Sequence, residues 1–317
     1  MIILSILSQN TMTSVVRLLI HPATWVCVLL AIAPSSSVID YQEKEVERTE
    51  LEQKIVPWYA NSPGHTVFGE YVGAHWCGPC MSSASPSLDN LKTSNPEEFT
   101  FVSFFESSSG GWPSDGPVNR QTHIMQSSSG YPTFSFADSQ SGSCYKVGAS
   151  GSNYYDSDFS SGGCMSSSSN DFQLEMSMSL NSSTEEVTIT LDSIYTGSLS
   201  SFEVYVYGAV TEKEGADSYD NGVKPHHNWR GWLLNSADSG FQQLTLSQGV
   251  WESHSWTAPL SLVRASGGYT QWENFWPVFA LMDGPHSSYN EFLVAIDPDM
   301  GPMIDVGILE FEVPVSY

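Results

Sequence analysis

The sequence predicts an exported chain with an α/β domain followed by an all-β sandwich, and three observations carry that reading. Residues 1–34 hold Arg17 as their one formal charge and contain the apolar run from Ala23 to Ala33. Between residues 55 and 168, compact apolar runs alternate with helix-like stretches. From Phe172 onward, apolar and polar residues alternate with period two in one short run after another. Period-two alternation marks half-buried strands, whereas strands alternating with helices mark an α/β unit.

The 317 residues include 40 % hydrophobic positions, ample for a real core. Eleven Lys and Arg stand against 35 Asp and Glu, a formal net charge of −24. The acidity is spread: residues 38–170 carry 15 acids and 6 bases, and residues 171–317 carry 20 and 4. A nucleic-acid partner is thereby excluded, since a phosphate backbone needs a basic face.

The leader, residues 1–37, places a basic residue, an apolar stretch and then Pro34-Ser-Ser-Ser37 in the order of a secretory signal. An uncleaved N-terminal anchor is the rival reading. It is disfavoured by His21 and Pro22 and by a run far short of the roughly 20 residues a span needs. A membrane contact is expected only through that leader, and the expected location is extracytoplasmic, secreted or at the cell surface. Residues 38–54 are densely charged and read as a solvated spacer.

In residues 55–168, Val67–Gly73 reads as a buried strand, Met81–Lys92 as a helix, and Phe99–Phe105 as a second strand. Arg120–Gln126 reads as a short helix and Thr133–Phe136 as a third strand. In residues 171–317, strands are expected over Phe172–Asn181, Val187–Leu191, Phe202–Val210 and Leu309–Val313. Trp229, Trp232, Trp251, Trp256, Trp272 and Trp276 read as core of this sandwich rather than as a carbohydrate platform.

The chemistry sits in Trp76-Cys77-Gly78-Pro79-Cys80, between a predicted strand and a predicted helix. A thiol at the first turn of a helix meets unpaired N–H groups and the positive end of the dipole, which lower its pKa below about 8.5. Gly78-Pro79 fixes a tight turn that brings the second sulfur within bridging reach. Such a pair can cycle between dithiol and disulfide through a mixed disulfide with substrate, and no diffusible cofactor is required. A zinc site is disfavoured because Cys144 and Cys164 lie 20 positions apart and offer no close pair. No metal is expected.

Gly130-Tyr131-Pro132-Thr133-Phe134 sets a proline at a strand entrance, where a sheet tolerates it. A trans proline opening the strand is the plain alternative. Beside the cysteine motif the reading is a cis Tyr131-Pro132 bond, with Trp76, Tyr131 and Thr133 as candidate substrate contacts. Glu70 and His75 are candidates for proton transfer near the sulfurs; the alternatives are packing or a partner pair for the strand residue Glu70, and a partly exposed turn histidine for His75. Cys144 and Cys164 are expected to pair as a structural disulfide in an oxidising compartment, with an electron relay to Cys77 and Cys80 as the alternative. His226, His227 and His254 show no metal-binding spacing, Asp297-Pro-Asp299-Met-Gly301 reads as a turn, and Asn181-Ser-Ser183 matches a glycosylation acceptor.

The pair Trp76–Cys80 and Gly130–Phe134 resembles the thioredoxin superfamily across about 100 residues. That resemblance implies Cys77 as attacking thiolate, Cys80 as resolving thiol and Pro132 as the neighbouring cis-proline. Tyr71 stands where that family places a buried Asp, and Met81 where it usually places Lys. Over the whole chain, Glu70–Cys77, Gly130–Thr133 and His227–Leu233 resemble the group named after outer membrane protein 28. The resemblance implies a thioredoxin-like α/β domain followed by an Ig-like β-sandwich. The expected function is thiol–disulfide exchange with exported protein thiols or disulfides and an unidentified redox partner. The alternative is a secreted or cell-surface binding protein that uses the same scaffold without catalysis.

Overall fold

In the computed structural model, residues 58–61, 66–109, 111–112, 118–126, 130–139, 142–162, 171–234, 241–285 and 291–300 are described, 58–61 and 118–119 by their backbone alone. The leader, the spacer, Cys164 and the expected strand Leu309–Val313 lie outside these residues. None of the described helices is long and apolar enough to cross a membrane.

In chain order, the early strands are β1 (Trp58–Asn61), β2 (Val67–Ala74), β3 (Phe99–Glu106), β4 (Thr133–Phe136) and β5 (Tyr145–Val147). They are followed by β6 (Phe172–Asn181), β7 (Glu186–Tyr195), β8 (Ser201–Glu214), β9 (His226–Trp232) and β10 (Phe241–Ser247). The last three are β11 (Trp251–Pro259), β12 (Phe275–Met282) and β13 (Phe292–Ile296). Helices α1 (Ser85–Ser94) and α2 (Val118–Met125) lie between the early strands, and α3 (Asp156–Ser160) follows β5. The strands read from sequence over 67–73, 99–105, 133–136 and 172–181 therefore form, the first two longer by one residue and the last two with the bounds expected.

The expected fold class does not hold. Strands dominate the described chain, and an α/β thioredoxin-like domain followed by a separate Ig-like sandwich is not what they build. One mixed sheet of nine strands runs in the order β13-β12-β8-β9-β3-β2-β4-β5, with β10 paired to β8. It joins strands from both parts of the sequence through the parallel pair β3–β9, in register at Ser103 and Asn228. The second sheet, β1-β6-β7-β11, takes β1 from ahead of the cysteine motif and pairs it antiparallel to β6.

The physical reason is double burial. Every residue of β12 is buried. Trp276, Val278, Ala280 and Met282 face a core shared with β2, β3 and β4, while Phe275, Phe279 and Leu281 face a second core under β6 and β7. β8 divides the same way, with Tyr207 and Ala209 on one side and Val206 and Val210 on the other. A free-standing sandwich would leave one of those faces to water. Gly208 makes room at this crossing, since a Cβ there would lie 3.0 Å from the Phe279 ring and would press on it. Pro277 pairs with Val210 of β8 beyond the end of β13, where a strand tolerates a missing donor.

The tryptophans divide accordingly. Trp229 and Trp276 are buried in the first core and Trp232 packs against it. Trp256 and Trp272 pack against the second core, and Trp251 is exposed. Phe104 of β3 holds Trp229 and Trp232 at ring distances of 6.4 and 6.2 Å. The candidate glycosylation residue Asn181 lies exposed at the β6–β7 turn, its Oδ1 accepting from the Ser183 amide at 3.0 Å. Asp297 and Asp299 form the expected turn, and Asp297 pairs with Lys92 of α1 at 2.7 Å. No group of His, Cys, Asp or Glu among the described residues is placed to hold a metal.

His227 sits inside β9 with φ of 51°. Its ring stacks on Phe101 at 4.6 Å, and its Nδ1 lies 3.0 Å from the Phe101 carbonyl. Burial, and then the Lys92 charge, push its pKa down to about 3. Its neighbour His226 behaves oppositely. Burial works against its charge, but Asp89, 3.1 Å away, leaves its pKa raised.

Two outcomes follow from this packing. Phe104→Ala is expected to cost about 3–5 kcal/mol. In urea it should lower the far-UV circular dichroism and tryptophan fluorescence midpoints together; separate midpoints would mean that the two parts unfold independently. His227 is neutral when folded, while its unfolded value is about 6.5. Between pH 6.5 and 3 only the unfolded chain takes up that proton, so stability falls as pH falls through this window. His227→Asn, which tolerates the positive φ, is expected to flatten the loss by up to about 1.4 kcal/mol per pH unit. An unchanged slope would assign the acid sensitivity to other groups.

Candidate active site

The site begins where β2 ends. Ala74 closes the strand, and the Cys77 amide donates back to the Ala74 carbonyl at 3.0 Å, which turns the chain sharply. A continuous helical run then extends from Gly78 to Ser94. Its first part, Cys80–Ala84, is a π turn in which the Ser85 amide donates to the Cys80 carbonyl. Pro86 has no N–H to return to Ser82 and its ring would crowd that carbonyl, so the helix widens just ahead of it.

Cys77 and Cys80 are joined as a disulfide, with an S–S distance of 2.06 Å and a Cα–Cα distance of 5.2 Å. The Cys80 amide donates to Cys77 Sγ at 3.2 Å, and the Met81 amide donates to the Cys77 carbonyl at 3.2 Å. An amide aimed at one sulfur favours negative charge there once the bond is opened, and the helix N-terminus adds to it. The second sulfur belongs to a residue fully buried within the first turn. The asymmetry distinguishes the two thiols. Trp76 is 55 % exposed and Gly78 and Pro79 are exposed, while Cys77 itself is 2 % exposed.

The second motif lies alongside. The Tyr131-Pro132 bond is cis. The Tyr131 ring meets Trp76 edge to face at 5.5 Å, and its hydroxyl donates to Glu106 Oε2 at 3.0 Å. Burial and the Glu106 charge both raise the Tyr131 pKa, so the phenol stays protonated. Thr133 is buried. Its hydroxyl donates to the Gly130 carbonyl at 2.7 Å and closes the loop rather than facing outward.

The two candidates for proton transfer occupy different surroundings. His75 is half-buried at the turn, with its amide donating to the Glu106 carbonyl at 3.0 Å and its Nδ1 3.3 Å from that same oxygen. Glu70 is buried deep in β2. Arg120 Nε donates to Glu70 Oε1 at 2.9 Å and Nη2 to Oε2 at 2.5 Å. Arg120 also reaches Asp138 at 3.0 Å, and Asp138 lies 2.8 Å from His123 Nε2. Burial pushes the Glu70 carboxyl up, against the pull of Arg120. In this arrangement Glu70 anchors α2.

The partner pair expected as the alternative for Glu70 forms, but which residues supply it was not legible in the sequence. Arg120, Asp138 and His123 complete the buried cluster, and a glutamate inside the apolar strand 67–73 was the available signal, because a buried charge needs a counter-charge. The turn also receives a loop from far along the chain. The Asp220 amide, between β8 and β9, donates to the His75 carbonyl at 3.0 Å. Beside it, the Tyr219 hydroxyl lies 3.0 Å from that of Tyr71, and its ring packs on Phe105 at 4.9 Å. Nothing local predicts that approach. Cys144 is buried and disulfide-bonded, and its expected partner Cys164 lies outside the described residues.

No family model and no curated protein matches the chain. Among solved structures it is similar to HBP35 of Porphyromonas gingivalis, at 12 % identity and a TM-score of 0.52, over 75 % of this chain and 76 % of that one. At that identity the likeness speaks to the fold alone. A β-glucosidase from Kluyveromyces marxianus and one from Erythrobacter marinus, each 14 % identical, match 35 % and 36 % of the chain at TM-scores of 0.19 and 0.18. Those two carry no argument.

Proposed function

We propose that the chain exchanges disulfides with exported protein thiols or disulfides through Cys77 and Cys80, outside the cytoplasm. The observation that carries this reading is the Cys80 amide donating to Cys77 Sγ at the start of a long helical run, under an exposed Trp-Gly-Pro rim. In the reducing direction the Cys77 thiolate attacks one sulfur of a substrate disulfide and expels the other as a thiolate. Cys80 then gives up its proton and attacks Cys77 sulfur, releasing the second substrate thiol and closing the Cys77–Cys80 bond. Two electrons pass to the substrate; the Cys80 proton ends on one of the substrate's thiols, and the other takes back from water the proton that Cys77 lost on ionising. The reverse order oxidises a substrate dithiol. Tyr131 and Pro132 would flank an incoming segment beside Trp76.

A second reading is a binding protein whose disulfide stays closed. The burial of Cys77, 2 % exposed, favours it.

Alkylation kinetics separate the two. In the reduced protein, iodoacetamide is expected to modify Cys77 with an apparent pKa below the free-thiol value of about 8.5. A Cys80→Ser variant should accumulate mixed disulfides identifiable by mass spectrometry, and a Cys77→Ser variant should accumulate none. An ordinary thiol profile at Cys77 with no trapped partner would leave the binding protein as the reading.

A further inference from the structure

The rim of the disulfide is acidic, and its acids come from two distant parts of the chain. Glu106 ends β3 directly beside Ala74 of β2, three residues before Cys77. Its carbonyl accepts from the His75 amide, and its half-buried carboxylate accepts from Tyr131, whose ring touches Trp76. Asp220 is exposed, and its amide is bonded to the His75 carbonyl, which seats its backbone against the same turn. His75 links them, its amide bonded to Glu106 and its carbonyl to Asp220. Arg120, a buried cation of the same core, is committed to Glu70 and Asp138.

Resting on the exchange reading above, we propose that Glu106 and Asp220 make this site selective for cationic partners, meaning disulfides in polypeptide segments that carry Lys or Arg beside the cysteine. Opposite charge raises the encounter rate and like charge lowers it, and both effects fade with salt. The net charge of −24 acts in the same direction over longer range. Glu106 and Asp220 are specificity residues here; the bond changes remain those of Cys77 and Cys80.

The test uses three small disulfides on the full, reduced protein: cystamine, a dication; hydroxyethyl disulfide, neutral; and oxidised glutathione, an anion. Closure of Cys77–Cys80 is followed by mass. Each rate is divided by that for hydroxyethyl disulfide, and the cystamine-to-glutathione ratio is compared with that of a neutral free thiol. At low salt the protein's ratio is expected to exceed the free thiol's by about tenfold, shrinking toward equality near 1 M salt. Glu106→Gln with Asp220→Asn, which keeps an acceptor for Tyr131, should bring most of that excess down. A wild-type ratio equal to the free thiol's, or an excess untouched by the double substitution, overturns the selectivity while leaving exchange standing. Failure of all three probes to react with a verified dithiol overturns the exchange reading itself.

Discussion

Apolar side chains on both faces of β8 and β12 are the constraint from which the architecture follows. The run Phe275-Trp-Pro-Val-Phe-Ala-Leu-Met282 leaves no polar face for water. Full burial of a large side chain is worth about 1.5–3 kcal/mol, so an uncovered face of this strand would expose several such terms at once. One face is covered by β6 and β7. The other must be covered by something else, and among the described residues that cover is the apolar surface made by β2, β3 and β4. Joining β3 to β9 edge to edge removes two open strand edges at that same place. The two cores are thus formed on opposite sides of shared strands, and neither can be completed without them.

Within the first core lies a charge cluster that an apolar interior accepts only when its members are paired. Arg120 binds Glu70 with two nitrogens, reaches Asp138, and lies over the rings of Phe241 and Phe292 at 5.5 and 5.8 Å. Replacing such a pair with apolar groups is often harmless, whereas removing one partner strands a charge. The geometry suits positioning better than driving stability. A guanidinium with donors in a fixed plane sets α2 against β2 and the end of β4, and so sets the direction from which the chain approaches the Tyr131 loop.

Much of this was legible in the residues, and the limit is physical. Alternation at Leu174, Met176, Met178 and Leu180 reports which face of a strand is dry, and the strand formed as read. The signal for double burial was also present, in the unbroken apolar run from Phe275 to Met282, which reads as a strand buried on both faces. Alternation does not report which strand lies next door. Backbone pairing is chemically the same for any neighbour, so the meeting of Ser103 with Asn228, and of Trp58–Asn61 with β6, left no local mark. The cysteine turn was legible because a bridge across two residues is a short-range event. Its companions Glu106 and Asp220 were not, since one arrives by strand register and the other by a loop more than a hundred residues away.

That loop changes what the later strands do. In a chain of two independent domains, the β-rich part could only carry or present the cysteine turn. Here β8 and β9 run into the same sheet as β2 and β3, and the connection between them must come back over the sheet end at which β2 gives way to the helix. Tyr219 fills the space above Phe105 and Tyr71, and the Asp220 amide satisfies a carbonyl of the turn that would otherwise face solvent. The fold that closes the second core therefore also finishes the rim of the disulfide. The turn that carries Cys77 is held by backbone from both parts of the sequence, and the sheet itself is the reason.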